Sequence, residues 1–277
     1  MMDTKKSSYK QLALTSLIVA GGWSAANFPA RAQSSNDPYA TDVLGFRLGM
    51  TSEEVKSFAP TKIPDAVFDV KQGILSMGSF KTAPMVFGVT IAPKDALYGK
   101  SDDKEIIKIL FDTRPPYKAI DISRHRVYTQ NTASQIAQTI DALTAKYGQP
   151  ASHKELGTAG TELYFSWNTD VKYSAFADSK AAACILALSE INLAGQNFSG
   201  SFNDNRDASL RKCGAWMRVR LIPLQSNPAL LGQIFVEFGD VKAMRESELF
   251  ILDALKKGGD AAASGERAKA SANKPDL

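Results

Sequence analysis

Histidine and cysteine are scarce in this chain, two of each among 277 residues, and the scarcity narrows the chemistry open to it. His125 and His153 stand far apart, and neither has a cysteine or a paired acid at ligand spacing, which argues against a zinc site. Cys184 and Cys213 are too distant for a Cys-x-x-Cys redox pair. No Gly-x-Ser-x-Gly elbow is present. Ser101-Asp-Asp-Lys104 has Ser-x-x-Lys spacing, but it lies in a polar turn without the companion motifs of penicillin-binding enzymes. Asn203, Asn205 and Asp207 offer oxygen ligands at alternate positions. The sixth and twelfth positions of that segment are Ala208 and Gly214, where a calcium loop needs Gly and Glu. No cofactor or metal is expected, and the absence of a catalytic constellation argues against an enzyme.

A long apolar run is missing too. Lys5, Lys6 and Lys10 lead into the apolar stretch from Leu12 to Ala20, which Gly21-Gly22 cuts short of the roughly 20 residues a membrane span needs. Ala30-Arg31-Ala32 then places small residues where a signal peptidase reads, so residues 1–32 form a secretory leader with cleavage between Ala32 and Gln33. The mature chain is expected in the periplasm or secreted, with no transmembrane segment. Losing Lys5, Lys6, Lys10, Arg31 and Asp3 lowers the formal charge from +4 to +1. A near-neutral surface gives no reason to expect nucleic-acid binding. In an oxidising compartment an isolated cysteine pair is most simply a disulfide, Cys184–Cys213. Closing a loop of about 30 residues would add roughly 3 to 4 kcal/mol in the chain-entropy picture.

At 44% hydrophobic and 22% charged residues, the composition suits a globular protein. Thr51-x-x-Glu54 is a capping box that starts a helix at Ser52, with Met50 and Val55 placed as a hydrophobic staple. Strands are expected at Val67–Val70, Ile74–Met77, Met85–Ile91, Glu105–Asp112 and Lys118–Tyr128. Thr132-x-x-Gln135 reads as a second capping box, before a helix from about Ala133 to Tyr147 with Ile136, Ile140, Leu143 and Tyr147 on one stripe. Further strands follow at Thr161–Trp167, Ala183–Leu188, Trp216–Leu221 and Gln233–Phe238, then a helix from Lys242 to Lys256. After Gly258-Gly259 the polar tail is expected to be disordered. Runs of strands between helices predict an α+β fold of antiparallel sheets with helices packed on one face. The domain layout is a leader (1–32), a first module (40–130), a second module with the disulfide (131–256) and a tail (257–277), the two modules being possible duplicates.

Arginine gives the one positive hint of a site. Arg124 and Arg126 flank His125 on one strand, and Arg218 and Arg220 share a face of another. If the two faces adjoin, four guanidiniums could grip an anionic envelope ligand. Alternatively, they simply cover the solvated face of a sheet. Asn197-Phe-Ser199 matches a glycosylation sequon, a match that arises cheaply.

Val43-Leu-Gly-Phe-Arg-Leu-Gly-Met-Thr-Ser-Glu-Glu-Val55 resembles the opening segment of small bacterial envelope modules of the BamE/SmpA-like and β-lactamase-inhibitor-protein-like kind. Leu143-Thr-Ala-Lys-Tyr-Gly-Gln-Pro150 is similar to a helix-ending segment of exported proteobacterial proteins, as is the cysteine pair with Phe235-Val-Glu-Phe-Gly-Asp240 after it. The resemblance implies a first helix packed on an antiparallel sheet, a place in the envelope, and action by protein contact. BamE itself differs in its lipidated cysteine and shorter chain. The expected function is therefore a non-catalytic accessory that binds an envelope protein. The alternatives are an anion binder using the four arginines and a hydrolase whose site is assembled from distant residues.

Overall fold

The computed structural model describes residues 37–97, 104–167, 184 and 212–272. The leader and its cleavage point at Ala32 and Gln33, the sequon, the 203–207 polar segment and residues 101–103 lie outside these.

After a short hairpin, β1 (Asp42–Val43) and β2 (Phe46–Arg47), comes α1 (Ser52–Phe58). Its capping box is formed in full. The Glu54 amide donates to Thr51 Oγ1 at 3.3 Å and the Thr51 amide to Glu54 Oε2 at 2.7 Å. Five strands follow: β3 (Ala66–Gly73), β4 (Ser76–Met77), β5 (Phe80–Lys81), β6 (Met85–Pro93) and, after one helical turn α2 (Lys94–Leu97), β7 (Lys104–Phe111). Then come β8 (Ala119–Val127), α3 (Ile136–Tyr147), β9 (Ser152–Glu155), β10 (Thr161–Trp167), β11 (Ala215–Leu224), β12 (Asn227–Asp240) and α4 (Val241–Ala272).

Eight strands form one sheet in the order β3-β6-β7-β8-β12-β11-β10-β9, antiparallel at every pairing. Each half of the chain supplies a helix followed by a four-stranded meander. The two meanders join through their last strands, β8 and β12, so the expected α+β modules share a single sheet. The β4–β5 hairpin stands apart from it.

One face is sealed. Ile107, Ile109, Ile122, Leu163, Met217, Val219, Val236 and Phe238 form its floor, and Phe46, Val55 and Ile63 close it from the α1 side. The α3 stripe of Ile136, Ile140, Leu143 and Tyr147 rests on the same core. Among the described residues the other face is covered at one end, where Val241 and Met244 of α4 pack on Ile120, Tyr164 and Trp216. A bulge makes this possible: the register shift between Leu110 and Phe111 leaves Ile120 without a partner. The extra residue turns Ala119 into the main core and Ile120 toward α4.

Cys184 and Cys213 are bonded, with Cα atoms 5.5 Å apart, and both are buried in the α4 cluster. Of the strand expected over Ala183–Leu188, Cys184 alone is described, and it is helical.

Two local expectations are corrected. The second capping box does not form, because the Thr132 hydroxyl is taken by the Thr129 amide at 3.0 Å; α3 starts after Gln135, which supplies no side-chain cap. The last helix does not end at Lys256 but continues through Gly258-Gly259 to Ala272. The Ala, Lys and Glu content of that tail favours helix. Its two glycines form a flat spot on which the β4–β5 hairpin lies. A Cβ on Gly258 would come within 2.4 Å of the Phe80 ring, and one on Gly259 within 3.1 Å of Met77 Sδ.

Candidate functional site

Directly paired residues of antiparallel strands project from the same side of a sheet, so the register shows which side chains share a face. One row runs Ile91, Ile107, Arg124, Val236, Val219, Leu163 and belongs to the sealed core. The neighbouring row runs Ile106, His125, Phe235, Arg220, Glu162 on the other side. Arg124 and Arg126 therefore lie on the core side, and Arg218 and Arg220 on the open side. The four arginines expected to form one anion grip are divided by the sheet itself.

Three of the four are also paired. Arg124 Nε donates to Glu105 Oε1 at 2.7 Å and its Nη2 to Glu105 Oε2 at 3.2 Å, and Arg126 Nη1 reaches the same carboxylate at 3.2 Å. Burial works against the Arg124 charge, but the Glu105 hydrogen bond and charge outweigh it, and its pKa is raised. Arg218 Nη2 donates to Glu162 Oε1 at 2.6 Å, and Tyr164 donates its hydroxyl to Glu162 Oε2 at 2.6 Å. Burial pushes the Glu162 carboxyl up, but these two hydrogen bonds and the Arg218 and Arg220 charges hold it below its ordinary value. Arg220 lies flat over Phe235, its guanidinium carbon 4.8 Å from the ring centre. The anion-binding reading fails on register and pairing alike.

What the open face does carry is a stacked row beside a cavity. The His125 and Phe235 rings stack at 4.1 Å with planes 8° apart, and Arg220 covers the far side of Phe235. His125 Nε2 contacts Gln233 Oε1 at 3.2 Å. Burial, with the Lys108 and Arg220 charges, lowers the pKa of His125 and keeps it neutral near pH 7. Next to this row is a cavity of about 190 Å³, lined by Ile106, Lys108, Asp121, Ser123, Arg124, His125, Phe235, Val236 and Glu237.

Asp121 is its unusual member. The residue is 8% exposed, yet its carboxylate has no hydrogen bond or ion pair among the described residues. Its direct neighbour on β12 is Gly239, which has no side chain to answer it. Burial and the Glu237 charge push its pKa well above the ordinary carboxylate range. Glu237 Oε2 is also buried without a hydrogen-bond partner, 3.7 Å from Arg218 Nη1.

Asp121, Ser123 and His125 emerge on one side of β8 at two-residue spacing. No hydrogen bond joins Ser123 to His125, or His125 to Asp121, among the described residues. Nor does any group of three or more His, Cys, Asp or Glu there have metal-holding geometry. Asp121 and Ser123 belong to no spaced motif, so the sequence reading did not single them out. The signal was the alternation Asp121-Ile-Ser-Arg-His125, polar on one parity.

Comparison with protein-family models, curated proteins and solved structures returns no match for this chain.

Proposed function

We propose that this chain is an exported, non-catalytic docking module of the cell envelope that binds another protein through the open part of its sheet. The observation that carries the reading is the asymmetry of the eight-stranded sheet. One face is sealed by α1 and α3, while the other, beyond α4, presents His125, Phe235, Arg220 and Lys108 as half-buried or exposed side chains around a cavity. Aromatic and arginine side chains on a broad, rigid surface are what protein interfaces enrich. The disulfide fits a compartment outside the cytoplasm, as the leader suggests. No helix of the described residues is long and apolar enough to cross a membrane. Among the described residues Ser123 has no hydrogen-bonded base.

Site-specific photo-crosslinking in cells tests this. A photoreactive residue in place of Lys108, on the open face, should capture one envelope protein. The same residue in place of Asp141, on the exposed side of α3, should not. Capture from both positions alike, or from neither, would overturn the proposal.

A further inference from the structure

The cavity on the open face brings together two acids, one of them without an ion pair among the described residues. Buried carboxylates are ordinarily hydrogen-bonded or paired, because removing a charge from water is expensive. Asp121 has no such partner, and Glu237 Oε2 lacks a hydrogen bond in the same cavity wall. Among the described residues none of the cations nearby is bonded to Asp121, although Lys108 lines the same cavity. Arg218 is bonded to Glu162, Arg220 lies on Phe235, and Lys108 is an exposed rim residue. The wall opposite the acids is flat and apolar, made by the Phe235–His125 stack and Ile106.

We propose that this cavity is a socket for a lysine or arginine side chain of the partner protein, its cation seated against Asp121 and Glu237 and its stem laid along Phe235 and Ile106. This deepens the docking reading and rests on it. Arg and Lys are donors without an acceptor, so either can satisfy two acceptor groups that repel each other. An arginine adds a planar face that stacks on the aromatic wall. Size agrees: a cavity of about 150 Å³ holds a benzene ring, and this one measures about 190 Å³. The socket also lies at the seam of the molecule, since Asp121 comes from β8 and Glu237 from β12. It exists only because the two meanders are joined.

The test uses the mature chain and small probes. N-acetyl-arginine amide and its uncharged analogue N-acetyl-citrulline amide are titrated while amide NMR shifts around Gly239 and Ser123 are followed. The arginine probe should bind at least tenfold more tightly than citrulline. D121N should weaken it by about ten- to hundredfold, the range of a lost charge-assisted hydrogen bond. E237Q should act in the same direction, and each variant must keep its native shift dispersion. Equal binding of the two probes, or an arginine affinity unchanged in D121N, would overturn the socket.

The docking reading is separated by repeating the Lys108-position crosslinking in the D121N background. Crosslinks that persist there, with no preference for arginine, leave the docking face standing and remove the socket. Crosslinks missing from the wild type remove the docking face, whatever the probes do. Loss of the crosslink in D121N together with an arginine preference supports both.

Discussion

On the core side of β8, Arg124 and Arg126 share the carboxylate of Glu105; three residues before Arg124, on the open side, Asp121 faces a cavity without an ion pair among the described residues. The same strand thus carries two solutions to a charge in a poorly hydrated place. On the sealed face Arg124, Arg126 and Glu105 form one ion-paired cluster beside apolar, helix-covered packing. On the open face Tyr164, Glu162 and Arg218 are hydrogen-bonded in series, while Arg218 Nε and Glu237 Oε2, toward the cavity, have no hydrogen-bond partner among the described residues. The difference separates a face built for stability from one that keeps binding capacity unsatisfied. Substitutions at matched positions on the two faces should therefore diverge.

Phenylalanine gives the largest expected contrast. Phe238 is fully buried on the core side of β12, and Phe235, three residues earlier, is half-buried on the open side. Phe238→Ala should destabilise by about 3 to 5 kcal/mol, as transfer and cavity effects add. Phe235→Ala should lose only cross-strand stacking, about 1 kcal/mol. Urea unfolding of both variants checks this, and equal losses would show that the open face is structural core after all.

Next in size is the disulfide, which fixes the one covered end of the open face. Replacing both Cys184 and Cys213 by serine frees a loop with 29 residues of separation. Thermal and urea unfolding should show a loss of roughly 3 kcal/mol. The Lys108-position crosslink should survive in molecules that remain folded, because the socket lies beyond this end.

Glu105→Gln asks what the paired face gains from its carboxylate. It leaves two guanidiniums competing for one neutral amide, and the side chains concerned are only 13% exposed for Glu105 and 17% for Arg124. The expected loss is about 2 to 3 kcal/mol by unfolding, smaller than for a fully buried pair because Arg126 is one-third exposed and can rehydrate. Cleaner still, Glu105→Gln should not alter binding of the arginine probe on the opposite side.

Much of the frame was legible in residues that act locally. Thr51 and Glu54 cap α1 as their spacing requires, and the Ile136-Ile140-Leu143-Tyr147 stripe meets the core. Alternation on β11 separated Met217, Val219 and Leu221 from Arg218 and Arg220 correctly. Relations between strands were less legible. On β8, Ile120 and Ile122 share a parity but a bulge turns Ile120 to the α4 side, which alternation alone does not show. The site itself depends on an absent side chain: Gly239 stands opposite Asp121, a pairing fixed by the β8–β12 register and by no local signal. Gly258-Gly259 misled for the same reason. A glycine pair inside a helix reads as a break until the hairpin that packs on it is known.

The smallest expected effect has the opposite sign and bears most directly on the two faces. The Asp121 carboxyl has a folded-state pKa raised above its unfolded value of 3.8. The native state thus binds more protons than the unfolded chain between those two values, and stability falls as pH rises through that window. Well below pH 3.8 the residue is neutral in both states and contributes no penalty. Asp121→Asn should therefore stabilise the protein at neutral pH, and the gain should vanish as the pH drops well below 3.8. Glu162, whose folded pKa is lowered, has the reverse dependence: its stabilisation is present above the ordinary glutamate value and is lost as pH falls through the folded one. Urea midpoints of wild type and D121N across this range decide the matter. If D121N is destabilised at every pH, Asp121 is a structural anchor like Glu105, and the contrast between the two faces collapses. If it is stabilised while losing the arginine probe, the residue lowers stability in order to bind.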